Sequence, residues 1–172
     1  MRTLLTPLAL SVLLAACATP PSGPSATAKL ASTTGNTATG SVQFTQLPGK
    51  VLVHGEVHGL LPNSVHGFHI HEKGDCSSGD GLSAGGHFNP TAHAHGAASG
   101  PMHHAGDLPS LQADASGTAK INYETADLAV GSGPNDVAGR GLIVHKDPDD
   151  FTTQPTGNSG ARLACAVITR NP

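Results

Sequence analysis

Apolar and polar positions alternate along seven stretches of the chain: "SVQFTQL" (41–47), "KVLVHGEVHGL" (50–60), "VHGFHIHE" (65–72), "PSLQADA" (109–115), "TAKINYE" (118–124), "GRGLIVHK" (139–146) and "RLACAVIT" (162–169). A period of two with β-branched enrichment is the signature of strands with one buried face. "LPGK", "LPNS", "DASGT" and "GSGPND" supply turns between them. No stretch carries an apolar stripe of period 3.6. The pattern therefore predicts an all-β domain, a sandwich or flattened barrel. Two long segments, about 72–107 and 146–160, interrupt it, and structureless loops of that length in a compact domain are usually functional.

The first residues do not belong to this pattern. Arg2 precedes an apolar run, Leu4–Leu14, of signal-peptide length and too short to span a bilayer. The run ends in "LLAAC", which resembles the lipobox of bacterial lipoproteins. That resemblance implies a signal peptide over 1–16 and lipid on Cys17. Ala18 follows it, which by the same resemblance points to the outer membrane. The expected location is the periplasmic side of a bacterial envelope, with the lipid as the membrane contact. Residues 17–38, rich in Ala, Thr, Ser, Pro and Gly, then read as a flexible tether, leaving 39–172 as the domain. The first strand is allowed to begin near 28.

Export sets an oxidising compartment. With Cys17 assigned to lipid, Cys76 and Cys165 remain, either as a disulfide or as two free thiols, and parity favours the disulfide. The net charge of −3 offers no basic face for nucleic acid.

Composition adds the decisive oddity. The chain holds 11 His against 4 Phe, 1 Tyr and no Trp, and all His except His145 lie between His54 and His104. His69 and His71 are two apart on a predicted strand, so they leave it on one face, whereas His66 should point to the other. His87, His95, His104, Asp107 and His145 follow in the long loop and at a strand end. Imidazoles suit copper and zinc, and three imidazoles with one carboxylate suit tetrahedral zinc.

"HGFHIHEKGDC", "GGHFNP", "HAHG", "HAGDL", "GLIVHK" and "GNSGARLACAVI" occur in the order found in copper–zinc superoxide dismutases, and the chain resembles the exported bacterial members over about 28–170. The resemblance implies an eight-stranded Greek-key fold and an oxidoreductase that converts superoxide to oxygen and hydrogen peroxide. Copper would be held by His69, His71, His87 and His145, and zinc by His87, His95, His104 and Asp107. His87 would bridge the metals and pass a proton to the forming peroxide. Arg162 would receive the anion, Thr156 narrow its channel, Asp149 link His69 to His95, and His66 support the site without ligating. Cys76–Cys165 would be the family's disulfide. His54, His58, His93 and His103 fall outside the ligand register.

The match has gaps. Pro155 stands where eukaryotic relatives carry a lysine, and 77–86, "SSGDGLSAGG", lacks the basic residues of exported bacterial relatives. Only Lys73 and Lys146 are near enough to steer an anion. A metal-buffering module would use the same histidines without needing Arg162, Thr156 or Asp149, so their presence favours catalysis. Relatives occur as monomers and homodimers, and both remain open here.

Overall fold

The computed structural model describes residues 23–172. The signal peptide expected over 1–16 and the lipidation site Cys17 lie outside the described residues. Within them run nine strands: β1 (Ser25–Ser32), β2 (Thr39–Leu47), β3 (Lys50–His58), β4 (Val65–His66), β5 (Phe68–His71), β6 (Leu111–Gln112), β7 (Ala119–Thr125), β8 (Gly141–His145) and β9 (Arg162–Arg170). A single 3₁₀ turn, Leu82–Ala84, is the helical content of those residues. Seven strands make a curled antiparallel sheet in the order β5-β8-β9-β1-β2-β3-β7, and β4 pairs with β6 apart from it. Returns of β9 to β1 and of β7 to β3 give the crossed connections expected of a Greek key.

Two sequence expectations gain detail. The segment 17–38 is not all tether, because β1 lies within it and pairs with both β2 and β9. Ala26, Ala28 and Leu30 face the core at the period of a strand, but alanines carry so little apolar signal that the stretch reads as linker. The expected all-β fold is present, and the ninth strand arises because "VHGFHIHE" divides into β4 and β5. Gly67 donates to the Asp147 carbonyl and accepts from the His145 amide, both at 2.9 Å. Its backbone thus turns toward the 146–160 loop, while Val65 and His66 pair with Gln112 and Leu111.

The core is aliphatic with few rings, as the composition demands. Val42, Phe44, Val51, Val53, Val57, Phe68, Ile70, Leu142, Val144 and Ile168 are fully enclosed, each contributing about 1.5–3 kcal/mol of burial. What positions the site is the alternation of β5, β8 and β9. Phe68, Ile70, Leu142, Val144, Ala164 and Ala166 point inward to this core. The intervening residues, including His69, His71, Ile143, His145 and Cys165, point to the other face. There a second small apolar cluster of Ala84, Ile143 and Cys165 packs against Cys76. The Cys76–Cys165 disulfide, spanning 89 residues, fastens the loop over that face.

Candidate metal centre

His69 and His71 stand opposite Ile143 and Gly141 in the β5–β8 ladder. Directly opposed residues share a face, so His145, two positions beyond Ile143, joins them. A Cβ on Gly141 would fall 2.6 Å from the Lys73 carbonyl, so β8 and the start of the loop pack closely there. The 72–107 loop returns to the same place through two isolated bridges, His71 to His87 and His69 to Asp107. The result is two four-residue groups whose donor atoms lie within 4.8 Å of one another: His69, His71, His87 and His145, and then His87, His95, His104 and Asp107. Both are buried, and His87 belongs to each.

The atoms facing inward show what the groups fit. His69 Nδ1 and His87 Nε2 are buried without a hydrogen-bond partner, and His95 Nδ1 meets only the Asp107 carboxylate. His71 Nε2 and His145 Nε2 face each other at 3.3 Å. On the other side Asp107 Oδ1 lies 2.8 Å from His87 Nδ1, 3.0 Å from His95 Nδ1 and 3.3 Å from His104 Nδ1. Leaving a buried polar atom unsatisfied costs about 1–3 kcal/mol, and a cation removes that cost wherever several lone pairs converge. Four imidazole nitrogens on one side suit copper; three imidazoles and a carboxylate on the other suit zinc. The residues present fit both ions.

The outward atoms of the same rings are fixed by the protein. Asp149 receives His69 Nε2 at 2.6 Å and His95 Nε2 at 2.9 Å. The Gly85 carbonyl accepts from His71 Nδ1 at 2.9 Å. Asp107 Oδ2 accepts from the amides of Gly96 (3.1 Å) and His104 (2.8 Å). Fixing the outer nitrogen of each ring selects its tautomer and aims the inner one.

Ionisation sets His95 apart, for burial lowers the His104 pKa as it does those of the strand histidines. Burial lowers the His69 pKa to about 4 against its bond to Asp149, lowers His145 to about 3, and holds His71 well below the usual imidazole range. Burial would also lower His95, but hydrogen bonds to Asp107 and Asp149 outweigh it and raise its pKa to about 9. Burial opposes ionisation of Asp107 and Asp149, yet donated hydrogen bonds keep both carboxyls well below their ordinary range.

Arg162 opens β9 opposite His145. Its guanidinium donates to the carbonyls of Gly81 (2.6 Å) and Gly85 (2.7 Å), which holds it half-buried at the edge of the first group. Burial lowers its pKa and the charge of Asp80 opposes that. Thr156 is half-buried in the 146–160 loop, next to Gly157. His66 joins neither group: its Nδ1 bonds to the His145 carbonyl at 2.8 Å and its Nε2 to Ser64 Oγ at 2.6 Å.

Three contributors carry no chemistry in a sequence. The Gln154 side chain clasps His95 on both sides, accepting from its amide at 2.9 Å and donating to its carbonyl at 3.0 Å. Gly85 acts through its carbonyl alone. Gly157, at φ +67°, lies so close that a Cβ would fall 2.0 Å from Asp149 Oδ1 and 2.5 Å from His95 Nε2. A Thr-Gly pair after proline hints at a turn, but nothing in it tells of the carboxylate behind.

Residues 38–168 match the family described as copper/zinc superoxide dismutase. A superoxide dismutase [Cu-Zn] of Onchocerca volvulus is 41% identical over 147 residues, covering 78% of this chain and 90% of that protein. An extracellular superoxide dismutase [Cu-Zn] of Brugia pahangi is 39% identical over 138 residues, covering 75% and 68%. The crystal structure of the clock protein EA4 superposes with a TM-score of 0.77 at 37% identity, over 91% of this chain and 99% of that one. The chain belongs to the copper/zinc superoxide dismutase family, a family of oxidoreductases that use both metals.

Proposed function

We propose that this chain dismutes superoxide, with copper held by His69, His71, His87 and His145 and zinc by His87, His95, His104 and Asp107. The observation that carries the reading is the single ring of His87 shared by two buried donor groups of different chemistry. Copper supplies the reversible one-electron change that this reaction needs, and zinc a fixed charge without redox chemistry. Two superoxide anions and two protons become one oxygen and one hydrogen peroxide.

The protein's own residues account for binding, orientation and proton supply. Arg162 presents a cationic group whose charge acts on His71 and His145 and draws the anion to the first donor set. At about 5 Å and an effective dielectric near 20 one charge attracts an anion by roughly 3 kcal/mol before screening. Thr156 narrows the approach. His87 Nε2, buried and unpartnered, is the atom on which a proton can be held for peroxide. Asp149 keeps His69 and His95 in register with each other.

The finer reading is an exported bacterial lipoprotein acting on the periplasmic side of the envelope, anchored to the outer membrane through Cys17, as a monomer or homodimer. Arg2, the apolar run Leu4–Leu14 and "LLAAC" support it; the Brugia relative, for its part, is named extracellular. Fractionation of Cys17→Ser tests the anchor: a soluble or unprocessed protein is expected, and a processed, membrane-bound one refutes it.

The activity is tested by superoxide consumption of the copper- and zinc-loaded protein, with cyanide as the quench. Arg162→Ala should lose about 10- to 100-fold in rate, and Arg162→Lys should regain part of that loss, lacking the planar fork. Rates within twofold of the parent at full copper occupancy would remove Arg162 from the reaction.

A further inference from the structure

Beside the 72–107 loop lies a cleft of about 110 Å³ whose lining includes Thr91, His93, Pro101, His103, Asp127 and Asn135, none of them a member of either buried group. His103 Nδ1 lies 2.7 Å from the His104 carbonyl. A carbonyl can only accept, so Nδ1 carries the hydrogen and Nε2 of the neutral ring is left with its lone pair. That lone pair faces Asp127 Oδ2 at 3.7 Å, too far for a hydrogen bond and with no hydrogen between. Two electron-rich atoms opposed across a small gap describe a place for a cation.

The surroundings complete a donor set. Asp127 is steadied by Thr125 Oγ1 at 2.8 Å. Asn135 spends its Nδ2 on the Asp127 carbonyl at 2.8 Å, which leaves its Oδ1 free. The backbone of His93 is held on both sides by the Asn89 amide group, while its ring stays exposed at the rim. An exposed ring turns between rotamers at little cost. The donation of His103 Nδ1–H to a carbonyl is also the arrangement that metal-binding imidazoles usually show.

We propose that this cleft binds one divalent transition-metal ion of the zinc or copper(II) class through His103 Nε2 and Asp127 Oδ2, with His93 rotating inward as the third ligand. Two imidazoles and a carboxylate suit a borderline cation, with water filling the remaining position. The His103 side chain is 12% exposed and that of Asp127 49%, so the ion exchanges with solvent and is held less tightly than in the buried groups. The site stands one residue from the buried donor His104.

Calorimetric titration with Zn²⁺ of protein whose buried groups are already filled, as shown by metal analysis, tests the proposal independently of the dismutase reading. One further equivalent should bind. His103→Gln and Asp127→Asn, both retaining the two buried metals, should each weaken that equivalent by about tenfold or more. His58→Gln is the control, since His58 is another exposed histidine with a carboxylate oxygen, Glu56 Oε2, 3.6 Å from its Nε2; it should leave the binding unchanged. No further equivalent in the parent, parental affinity in either cleft variant, or an equal loss in His58→Gln would overturn the proposal.

Discussion

The two halves of the metal centre use the same side chain in opposite ways. His69, His71 and His145 grow from β5 and β8, where the sheet fixes their backbones and burial keeps the rings neutral. His95 and His104 hang on a loop, and what aims them is polar: Asp107, Asp149, backbone amides and the Gln154 side chain. Packing thus preforms one half and electrostatics the other. A strand-borne group should resist the loss of a hydrogen bond and suffer from protonation; in the loop His95 should do the reverse, while His104, lowered by burial, follows the strand side.

The largest test of that difference is pH, applied to the metal-free protein. Below about pH 6.5 the unfolded chain takes protons on the three strand histidines that the folded one refuses, His69 until about pH 4, His145 until about pH 3, and His71 until well below its usual range. Each ring then removes up to about 1.4 kcal/mol of stability per pH unit, up to about 4 for the three together. His95 has the opposite sign. Its raised pKa gives stability that is full below about 6.5 and is lost as pH climbs through about 9. Thermal melts should therefore peak near pH 6.5, and His95→Gln should flatten only the alkaline side. An unaltered alkaline side in that variant would erase the contrast.

Next in size is Asp107→Ala, which removes the acceptor shared by His87, the amides of Gly96 and His104, and the ring of His95. Breaking such a buried pairing costs about 3–5 kcal/mol, or about 10 °C in melting temperature. Zinc should be lost while copper at the strand side is retained in part; full zinc occupancy by metal analysis would show that the loop does not depend on this carboxylate. Gly157→Ala should cost about 2 kcal/mol, from a strained φ and from displacement of Asp149. Its melting temperature should drop with the His71–His145 side undisturbed in the histidine NMR signals, whereas shifts on both sides would mean the halves move as one.

The smallest effect concerns the mouth. Asp80 sits on the disulfide loop beside Arg162, its carboxyl kept ionised by bonds from Ser78 and the Leu82 amide. Asp80→Asn should raise the rate about twofold at low ionic strength, with the gain vanishing in high salt. A rate indifferent to the substitution at low salt would mean that Asp80 does not oppose the substrate.

Strand-borne features were the more legible ones in the sequence. Seven strand regions could be read from period-two alternation, and His69 with His71 from their spacing. The first strand could be placed only loosely, near 28, because two of its three core-facing residues are Ala26 and Ala28, which give a weak apolar signal beside Leu30. The break at Gly67 escaped because it comes from backbone bonds to Asp147 and His145, far along the chain. The loop half of the centre could be named only by resemblance, since no periodicity links His87 to Asp107. Gly85, Gly157 and Gln154 act through a carbonyl, a missing Cβ and a backbone clasp, none of which has a signature in residue type.

One further consequence lies in the pairing of β1. Ala26 sits opposite Arg170 and Ser32 opposite Ala164, so the chain reaches the sheet at the tail of β9, whereas Arg162 and His145 lie at its head. Eight residue steps of about 3.3 Å put roughly 26 Å between those ends. The described chain thus enters the sheet at one end and presents the metal-side histidines at the other, and the length of β9 keeps the two apart.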